Sequence, residues 1–263
     1  ELARARLRSP ASQLTTLGTR VRTELLSLGV NPGGPDYSLQ RYSLVGDDTR
    51  RAYYPWHTLY LWPPEAHPPK AKDDVPDRGE RLRDRIESSL LTECINSVYS
   101  GSGRDLESIG LAYTTLNPLK ELAAPENMDT GRFRDAVAGT IRKLGELRRF
   151  QSLRYGMADP PPKVRDYWER VATENGIAYE ALKRAITRAF SGAVLEFLID
   201  PAQLYLVPAG EHAWVCTRCR RQHLHTAGGV CTYCLRKLPE EPVKVDHSTD
   251  YYAFLAAQSG DPF

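Results

Sequence analysis

Four of the five cysteines lie in one short stretch, CTRCRRQHLHTAGGVCTYC, in which two Cys-x-x-Cys pairs stand eleven residues apart. Each pair can present two thiolates to one ion across a tight turn, and the AGG sequence between the pairs can reverse the chain. Four thiolates suit Zn²⁺, because zinc prefers soft sulfur ligands in a closed tetrahedron. Such a site keeps no open position for water, so we expect a structural Zn²⁺ ion. The predicted ligands are Cys216, Cys219, Cys231 and Cys234.

Other interpretations of the cysteines have less support. A redox dithiol normally needs a single Cys-x-x-Cys pair at the start of a helix, and the second pair argues against it. His223 and His225 could replace a sulfur, although four cysteines leave no need for them. The fifth cysteine, Cys94, follows Leu90 and precedes Val98 at helical spacing, so we interpret it as a core residue and not a nucleophile.

The cysteine stretch is basic, because residues 216–237 contain five arginines and lysines and no acid. Four thiolates and one Zn²⁺ sum to −2, so the stretch with its metal carries about +3. Its cations could lie along phosphates, while Trp214, Tyr233 and the two histidines could stack on bases. The sequence leaves an alternative open, in which a solvated ribbon only staples neighbouring domains together.

A second basic segment is TGRFRDAVAGTIRKLGELRRF, where apolar residues recur at helical spacing. We predict an amphipathic helix that turns Phe133, Val137, Ile141, Leu144 and Leu147 inward and leaves a basic face outward. Residues 132–154 contain seven arginines and lysines against two acids. The two basic segments together predict a nucleic-acid surface. Its candidate residues are Arg132, Arg134, Arg142, Lys143, Arg148, Arg149, Arg218, Arg220, Arg221, Arg236 and Lys237.

Residues 162–208 follow the order helix, tight turn, helix, hairpin, which is the outline of a winged helix. PKVRDYWERVATEN and AYEALKRAITRAF are the predicted helices, joined at Asn175-Gly176. We expect the hairpin strands in VLEFLI and LYLV, with the Asp-Pro of DPAQ at the turn between them. A helical pair beside a hairpin, without any DNA contact, fits the same pattern.

The whole pattern predicts a mainly α (α+β) fold with a helical block, a winged-helix-like unit and a four-cysteine zinc ribbon. Aromatic segments before residue 62 predict short strands, and the prolines that follow predict a linker. We expect 1–62 to hold an N-terminal helix and short strands, 63–80 a linker rich in proline and charge, and 81–155 the helical block. We expect 162–208 to be the winged-helix-like unit, 209–240 the zinc ribbon, and 241–263 a truncated C-terminal helix.

Composition and motifs exclude several classes of protein. The 263 residues carry a net charge of only +2, so nucleic-acid binding must come from local patches. No long apolar run predicts a membrane span or a signal peptide, and the clustered cysteines fit a reducing, cytoplasmic compartment. The sequence has no phosphate-binding loop and no hydrolase motif. We therefore expect no ATPase activity from this chain alone, and its status as an enzyme stays open.

The cysteine stretch and the residues that follow it resemble a region of very large bacterial DEAD/DEAH-box helicases of superfamily 2, which include the helicase of Druantia-type anti-phage defence. The matching segments are HAWVCTRCRRQH, GVCTYC and DHSTDYYAFLAAQSGDPF. SSLLTECINSVYSGSGRDLESIGLAY and the N-terminal residues resemble the same family. The resemblance implies an accessory region near or within the second motor domain, cut at both ends from a longer protein. It carries over only the four cysteines as metal ligands, because the family's ATP-binding motif is not in this sequence.

We therefore expect a nucleic-acid-binding accessory segment of a large ATP-dependent helicase in anti-phage defence. Its expected partners are DNA, single-stranded or duplex, and the ATPase motor domains of the same polypeptide. Two alternatives stay open: a stand-alone zinc-ribbon DNA-binding protein, and a structural module, stapled by zinc, that docks other subunits. The last of these predicts no salt-dependent affinity for DNA.

Overall fold

The computed structural model describes residues 11–44, 52–99, 105–151 and 155–245. These residues form a mixed α+β fold, which confirms the expected fold class at that level. The helices are α1 (Leu14–Ser27), α2 (Asp77–Val98), α3 (Thr130–Glu146), α4 (Pro162–Glu174) and α5 (Tyr179–Ala189). The strands are β1 (Ser12–Gln13), β2 (Arg41–Leu44), β3 (Ala52–Pro55), β4 (Tyr60–Leu61), β5 (Lys70–Ala71), β6 (Ala112–Thr115), β7 (Val194–Leu195), β8 (Leu198–Ile199), β9 (Tyr205–Pro208), β10 (His212–Val215), β11 (Gln222–His223) and β12 (Val243–Lys244).

The chain divides into two compact units. We call Thr15–Asn96 the N-terminal unit, and the chain up to Leu14 together with Ser97–Phe263 the C-terminal unit. The division differs from the segments expected from the sequence. Residues 63–80, expected to be a linker, contain β5, which pairs with β4, and the first residues of α2. Most of α2 belongs to the N-terminal unit and not to a block with α3.

The N-terminal unit combines α1 and α2 with two antiparallel strand pairs, β2 with β3 and β4 with β5. Gly29 follows α1 with φ +70°, the left-handed conformation expected of a glycine after a helix. The sequence places Ser9 as a cap and Pro10 in the first turn of the N-terminal helix, and both residues lie outside the described part of the chain. Cys94 is half-buried on α2, and burial raises the pKa of its thiol. The core of the unit contains Leu26, Leu39, Leu59, Tyr60, Leu82 and Ile86.

Helix α3 is the central element of the C-terminal unit. Asp129 caps its N-terminus, because the carboxylate accepts a hydrogen bond of 2.8 Å from the backbone N–H of Arg132. Of the predicted apolar face, Phe133, Val137, Ile141 and Leu144 are buried, whereas Leu147 follows the helix and is half-buried. The other sides of the middle of the helix are buried as well, because residues 136–145 are all buried. The antiparallel sheet β1–β9–β6, α4, β8 and a turn at Ala227–Gly229 contact α3 from different directions. The middle of α3 therefore has no solvent-exposed basic face.

Helices α4 and α5 follow with a turn at Asn175 and Gly176 between them. Val164 and Trp168 of α4 and Ile186 of α5, which the helical spacing of apolar residues turns inward, are buried. The expected order of helix, turn, helix and hairpin is present, and the winged-helix assignment stays a prediction.

The hairpin differs from expectation. Its strands are β7 and β8, both within VLEFLI, and the turn is formed by Glu196 and Phe197, which have φ of 49° and 58°. Two left-handed residues match the twist of a two-residue hairpin, so no longer turn is needed. The DPAQ segment forms a short 3₁₀ helix, capped by Asp200, and leads into β9, which pairs with β1 and β6.

The cysteines lie in turns next to a small sheet in the order β11–β10–β12, with Cys216 and Cys219 between β10 and β11. We call residues 212–244 the cysteine ribbon. The prediction of a C-terminal helix over 241–263 is wrong at its start, because β12 (Val243–Lys244) pairs with β10. The predicted helix beyond residue 245 lies outside the described residues. In the part of the chain that the structure describes, no helix is both long and apolar enough to cross a membrane.

Candidate metal centre

The structure brings the four predicted ligands together. Their sulfur atoms all lie within 4.8 Å of one another. The sulfur atoms of Cys216 and Cys234 are 3.4 Å apart, and those of Cys219 and Cys231 are 3.5 Å apart. These distances are too long for a disulfide bond of about 2.05 Å. They are close to the sulfur–sulfur separation of about 3.8 Å in a tetrahedron with Zn–S bonds of about 2.3 Å.

The two Cys-x-x-Cys pairs have the same backbone geometry. In the first, the N–H of Cys216 donates to the carbonyl of Arg221 and the N–H of Arg220 donates to the carbonyl of Cys216, both at 2.9 Å. The second repeats these bonds around Cys231, at 2.8 and 3.1 Å. The residue after each pair, Arg220 or Leu235, is left-handed with φ of 62° or 60°. Two matching turns therefore present two sulfur atoms each to the same point.

Backbone amides stabilise the sulfur atoms. Burial raises the pKa of Cys216, but hydrogen bonds from the amides of Cys219 and Arg218 and from neighbouring thiols outweigh it and lower this pKa to about 7. Burial raises the pKa of Cys219 and of Cys231. Four thiolates this close repel one another, so they can all be ionised only if a cation lies between them.

A buried histidine connects the sulfur cluster to α3. His223 is fully buried, with Nε2 3.4 Å from Sγ of Cys231 and Nδ1 3.2 Å from Nη1 of Arg142. Because a guanidinium can only donate, Nδ1 is the acceptor and Nε2 carries the proton that points at the sulfur. Burial lowers the pKa of His223 to about 4, which fits this neutral form. His223 is thus an outer partner of a ligand and not a ligand itself.

Behind His223 lies a set of buried charges, which we call the buried ionic cluster. Arg142, only 2% exposed, is its centre. Its guanidinium pairs with Asp105 at 2.9 Å, with Glu107 at 2.8 Å and with Glu146 at 3.3 Å. It also donates to the carbonyl of Gln222 in β11 at 3.1 Å. The members of the cluster are Asp105, Glu107, Arg142, Glu146 and Arg221.

The cluster keeps buried charges ionised by pairing them. Burial raises the pKa of Glu107, but the charges of Arg142 and His225 outweigh it and hold this pKa well below its usual range. The three carboxylates also hold the pKa of Arg142 above its usual value, although burial lowers it. Arg221 of the ribbon is the second cation of the cluster, and it pairs with Asp105 at 3.0 Å and with Glu146 at 2.5 Å. Removal of Arg142 would therefore leave Glu107 as a buried charge without a guanidinium partner, because, of the described acids, Arg221 reaches only Asp105 and Glu146.

The turn of the ribbon docks against α3 and α4. Asp135 accepts from the backbone N–H and the hydroxyl of Thr226 at 2.9 and 2.6 Å. The Tyr167 hydroxyl donates to the carbonyl of Ala227 at 2.8 Å, and Asn175 donates to the carbonyl of Gly228 at 2.9 Å. Gly228 has φ +66°, and a Cβ atom there would lie 2.9 Å from that of Ala136. Only glycine fits this conformation and this close approach.

The structure corrects the predicted basic face of α3. Arg142 and Lys143 are 2% and 6% exposed, so a phosphate cannot reach them in the folded chain. Arg142 belongs to the ionic cluster, and Nζ of Lys143 donates to the carbonyl of Thr232 at 2.5 Å. Arg221 is also turned inward, towards Asp105 and Glu146. These three cations stabilise the protein internally because each has a partner in the interior.

The other α3 candidates are half-buried. Arg134 donates to the carbonyls of Pro118 and Lys120, both at 2.9 Å, and Arg149 donates to those of Phe197 and Tyr155. Arg132 and Arg148 are half-buried as well. Among the described residues 130–151, therefore, no row of free cations comparable to the expected one is present.

Most of the predicted nucleic-acid-binding cations of the cysteine ribbon are exposed to solvent. Arg218, Arg220 and Arg236 are exposed, and Tyr233 beside them is 67% exposed. Lys237 is exposed but pairs with Glu174 at 2.9 Å and Glu240 at 3.4 Å. The expected stacking of bases on His223 and His225 is wrong, because both side chains are buried.

Sequence reasoning missed Asp105 and Glu107, which reach the ribbon from the loop before β6. Glu107 accepts from the backbone N–H of Leu224 at 3.3 Å and lies 3.4 Å from Nε2 of His225. The available signal was a pair of acids, Asp105 and Glu107, directly before SIGLAYTTL, an uncharged segment that leads into β6. Charges in such a segment suggest a buried partner of opposite sign.

Comparisons of this chain with protein-family models, with curated proteins and with solved structures found no match.

Proposed function

We propose that the four cysteines hold one structural Zn²⁺ ion. The observation that carries the proposal is the cluster of four sulfur atoms within 4.8 Å of one another. Four sulfurs complete the tetrahedron that zinc prefers and leave no position for a substrate. The ion would supply the positive charge that allows four neighbouring thiolates.

The proposed ion would hold the cysteine ribbon in the shape that fits α3. Support comes from the hydrogen bonds that the ribbon makes with the helix: Arg142 reaches Gln222, and Lys143 reaches Thr232. Both acceptors are backbone carbonyls whose positions depend on the turns around the cysteines. A ribbon of about 30 residues has little apolar core of its own, so a metal commonly fixes its conformation.

We further propose that the ribbon binds nucleic acid through its exposed cations. Arg218, Arg220 and Arg236 have no ion-pair partner within the described residues, and the exposed ring of Tyr233 lies between the two members of the second cysteine pair. Guanidinium groups neutralise phosphates, and a tyrosine ring can stack on a base. Three phosphate contacts predict a slope of log affinity against log salt of about −2 for a single strand.

Charge reversal tests this surface. The variant Arg218→Glu/Arg220→Glu should bind a fluorescein-labelled oligothymidylate more weakly than wild type, with a slope reduced by about 1.4 because two contacts are lost. Fluorescence anisotropy at several salt concentrations measures both quantities. The matched control is Arg165→Glu/Arg170→Glu, which reverses two exposed arginines on α4. Equal affinity and slope in wild type and both variants would leave the ribbon as a structural docking element.

We also propose that the chain serves a superfamily 2 helicase beside ATPase motor domains of the same polypeptide, and this proposal rests on the sequence resemblance alone. A cytoplasmic location is proposed from the clustered cysteines, which fit a reducing compartment. Reading the open reading frame on both sides of this chain tests the helicase proposal. Motor motifs with a phosphate-binding loop are the expected result, and a frame without them would contradict the proposal.

A further inference from the structure

The N-terminal unit contains a second surface with the chemistry of an anion site. A cleft of about 490 Å³ lies between α2, the strand pair β2–β3 and the short 3₁₀ helix Tyr37–Leu39. Four arginines and three tyrosines line it, and none of the described Asp or Glu residues does. We call it the arginine–tyrosine cleft. Its charged and aromatic residues are Arg41, Arg78, Arg81, Arg85, Tyr37, Tyr42 and Tyr53.

Local structure places three of the arginines in a row. Arg78, Arg81 and Arg85 stand at positions i, i+3 and i+7 of α2, so they share one face of the helix. All three are exposed, and within the described part of the chain none of them forms an ion pair. Their Cα atoms extend over about 10.5 Å of the helix axis, at 1.5 Å a residue. Like charges in a row without ion-pair partners repel one another, and binding of a polyanion relieves that repulsion.

Two hydrogen bonds hold the ends of this row apart. Arg78 donates to the carbonyl of Ser43 at 3.1 Å, and Arg85 donates to the hydroxyl of Ser38 at 2.7 Å. The arginines are therefore prevented from converging on a single small anion. Asp36 lies beside the Arg85 end, where its carboxylate caps the Ser38 amide at 2.8 Å. It offsets one of the four positive charges, and the cleft keeps a net charge of about +3.

The aromatic rings supply stacking surfaces next to the charges. The guanidinium of Arg41 lies 4.8 Å from the ring centroid of Tyr37 and 4.3 Å from that of Tyr53, so the three groups form a layered stack. Tyr37 is 70% exposed and Tyr53 is 50% exposed. Exposed aromatic rings can stack on a flat partner. Planar bases are such a partner.

We infer that the arginine–tyrosine cleft binds single-stranded nucleic acid, with phosphates along the α2 arginines and bases stacked on Tyr37 and Tyr53. Phosphates alternating with planar rings match a row of cations beside exposed aromatic rings. An acidic peptide would satisfy the charges but not the rings, and a duplex keeps its bases stacked on each other. The inference stands on residues of the N-terminal unit only, so it is independent of the metal centre and of the ribbon surface.

Two variants in the full chain test the site by fluorescence anisotropy with labelled oligothymidylate at about 50 mM salt. Arg81→Glu/Arg85→Glu should lose about tenfold or more in affinity, and its salt slope should fall by about 1.4. Tyr37→Ala should lose about fivefold or more because one stacking contact is removed. The matched control is Arg20→Glu, an exposed arginine of α1 outside the cleft, which should change affinity less than about twofold.

The same variants made in the Arg218→Glu/Arg220→Glu background separate this site from the ribbon. Their losses should persist there, even if the ribbon itself binds nothing. Thermal unfolding of each variant distinguishes a folding defect from a binding defect. The unfolding temperature should match that of wild type, because the altered side chains are exposed. Unchanged affinity in Arg81→Glu/Arg85→Glu would overturn the inference. So would poly-glutamate or duplex DNA that competes as well as the single strand.

Discussion

Replacing Arg142 by methionine tests whether the buried ionic cluster stabilises the C-terminal unit. The substitution keeps much of the side-chain volume and removes the charge that pairs with Asp105, Glu107 and Glu146. Arg221 still pairs with Asp105 and Glu146, so only Glu107 loses its guanidinium partner. The cost should thus be that of one orphaned buried charge, about 3–5 kcal/mol, and not three times that value.

The pH dependence of the loss has a definite sign. In wild type, pairing holds the pKa of Glu107 below its usual range, so its contribution to stability is present near neutral pH. In Arg142→Met burial dominates, and the pKa of Glu107 should rise above its value in the unfolded chain. Protonation then relieves the orphaned charge, so the deficit should be largest near pH 7 and shrink as the pH falls towards the raised pKa. The double variant Glu107→Gln/Arg142→Met should recover a large part of the loss at pH 7.

Hydrogen exchange measured by mass spectrometry suits this prediction, because it reports the two units separately. The slowest amides of α3 should lose about 3–5 kcal/mol of opening free energy in Arg142→Met at a fixed zinc concentration. Arg170→Met, the same change at an exposed site on α4, is the matched control and should stay within about 0.5 kcal/mol of wild type. A loss in Arg142→Met no larger than the control, or a deficit independent of pH, would refute the reasoning.

Three further predictions follow from the contacts of the ribbon. In denaturant titrations, Gly228→Ala should lower the free energy of unfolding by about 1–3 kcal/mol more than Gly176→Ala. Both glycines are left-handed, but only a Cβ atom at Gly228 would meet Ala136. Equal losses would mean that close packing at Gly228 is unimportant. Acidification below about pH 5 should reduce the hydrogen-exchange protection of α3 amides more steeply in wild type than in Glu107→Gln. The lowered pKa of Glu107 contributes stability that is lost as its carboxylate protonates. Parallel plots of protection against pH in the two proteins would exclude this role. Cys231→Ser should increase exchange in α3 as well as in the ribbon, and loosening confined to the ribbon would show that the contacts of Arg142 and Lys143 carry little energy.

The sequence alone identified the features that depend on local spacing. The four cysteines come together as predicted, because two identical turns around Cys-x-x-Cys pairs need only local hydrogen bonds. Helical periodicity identified the buried residues Phe133, Val137, Ile141 and Leu144 of α3, whereas Leu147, also predicted inward, is half-buried. The site geometry therefore required no information about distant parts of the chain, and the identity of the metal stays a prediction.

The errors concern contacts between residues far apart in the chain. The amphipathic pattern of α3 predicts one buried face, but Arg142 and Lys143 meet Gln222 and Thr232, about 80 to 90 residues later. A central helix buries charges when distant partners compensate them, and no periodicity reveals such partners. The hairpin was placed at DPAQ because Asp-Pro is a strong turn signal, whereas Glu196 and Phe197 carry none. Helical spacing predicts the row formed by Arg78, Arg81 and Arg85, but only the fold brings it near Tyr37 of the 3₁₀ helix and the tyrosines of β2 and β3.

The central claim is that the four cysteines hold one structural zinc ion. Native mass spectrometry and elemental analysis of the chain, purified under reducing conditions without added metal, measure this directly. We predict one zinc per chain, lost together with the folded ribbon when a chelator is added, and less than one in Cys231→Ser. A chain that retains its hydrogen-exchange protection in the ribbon with no bound metal, or that carries iron in place of zinc, would contradict the claim.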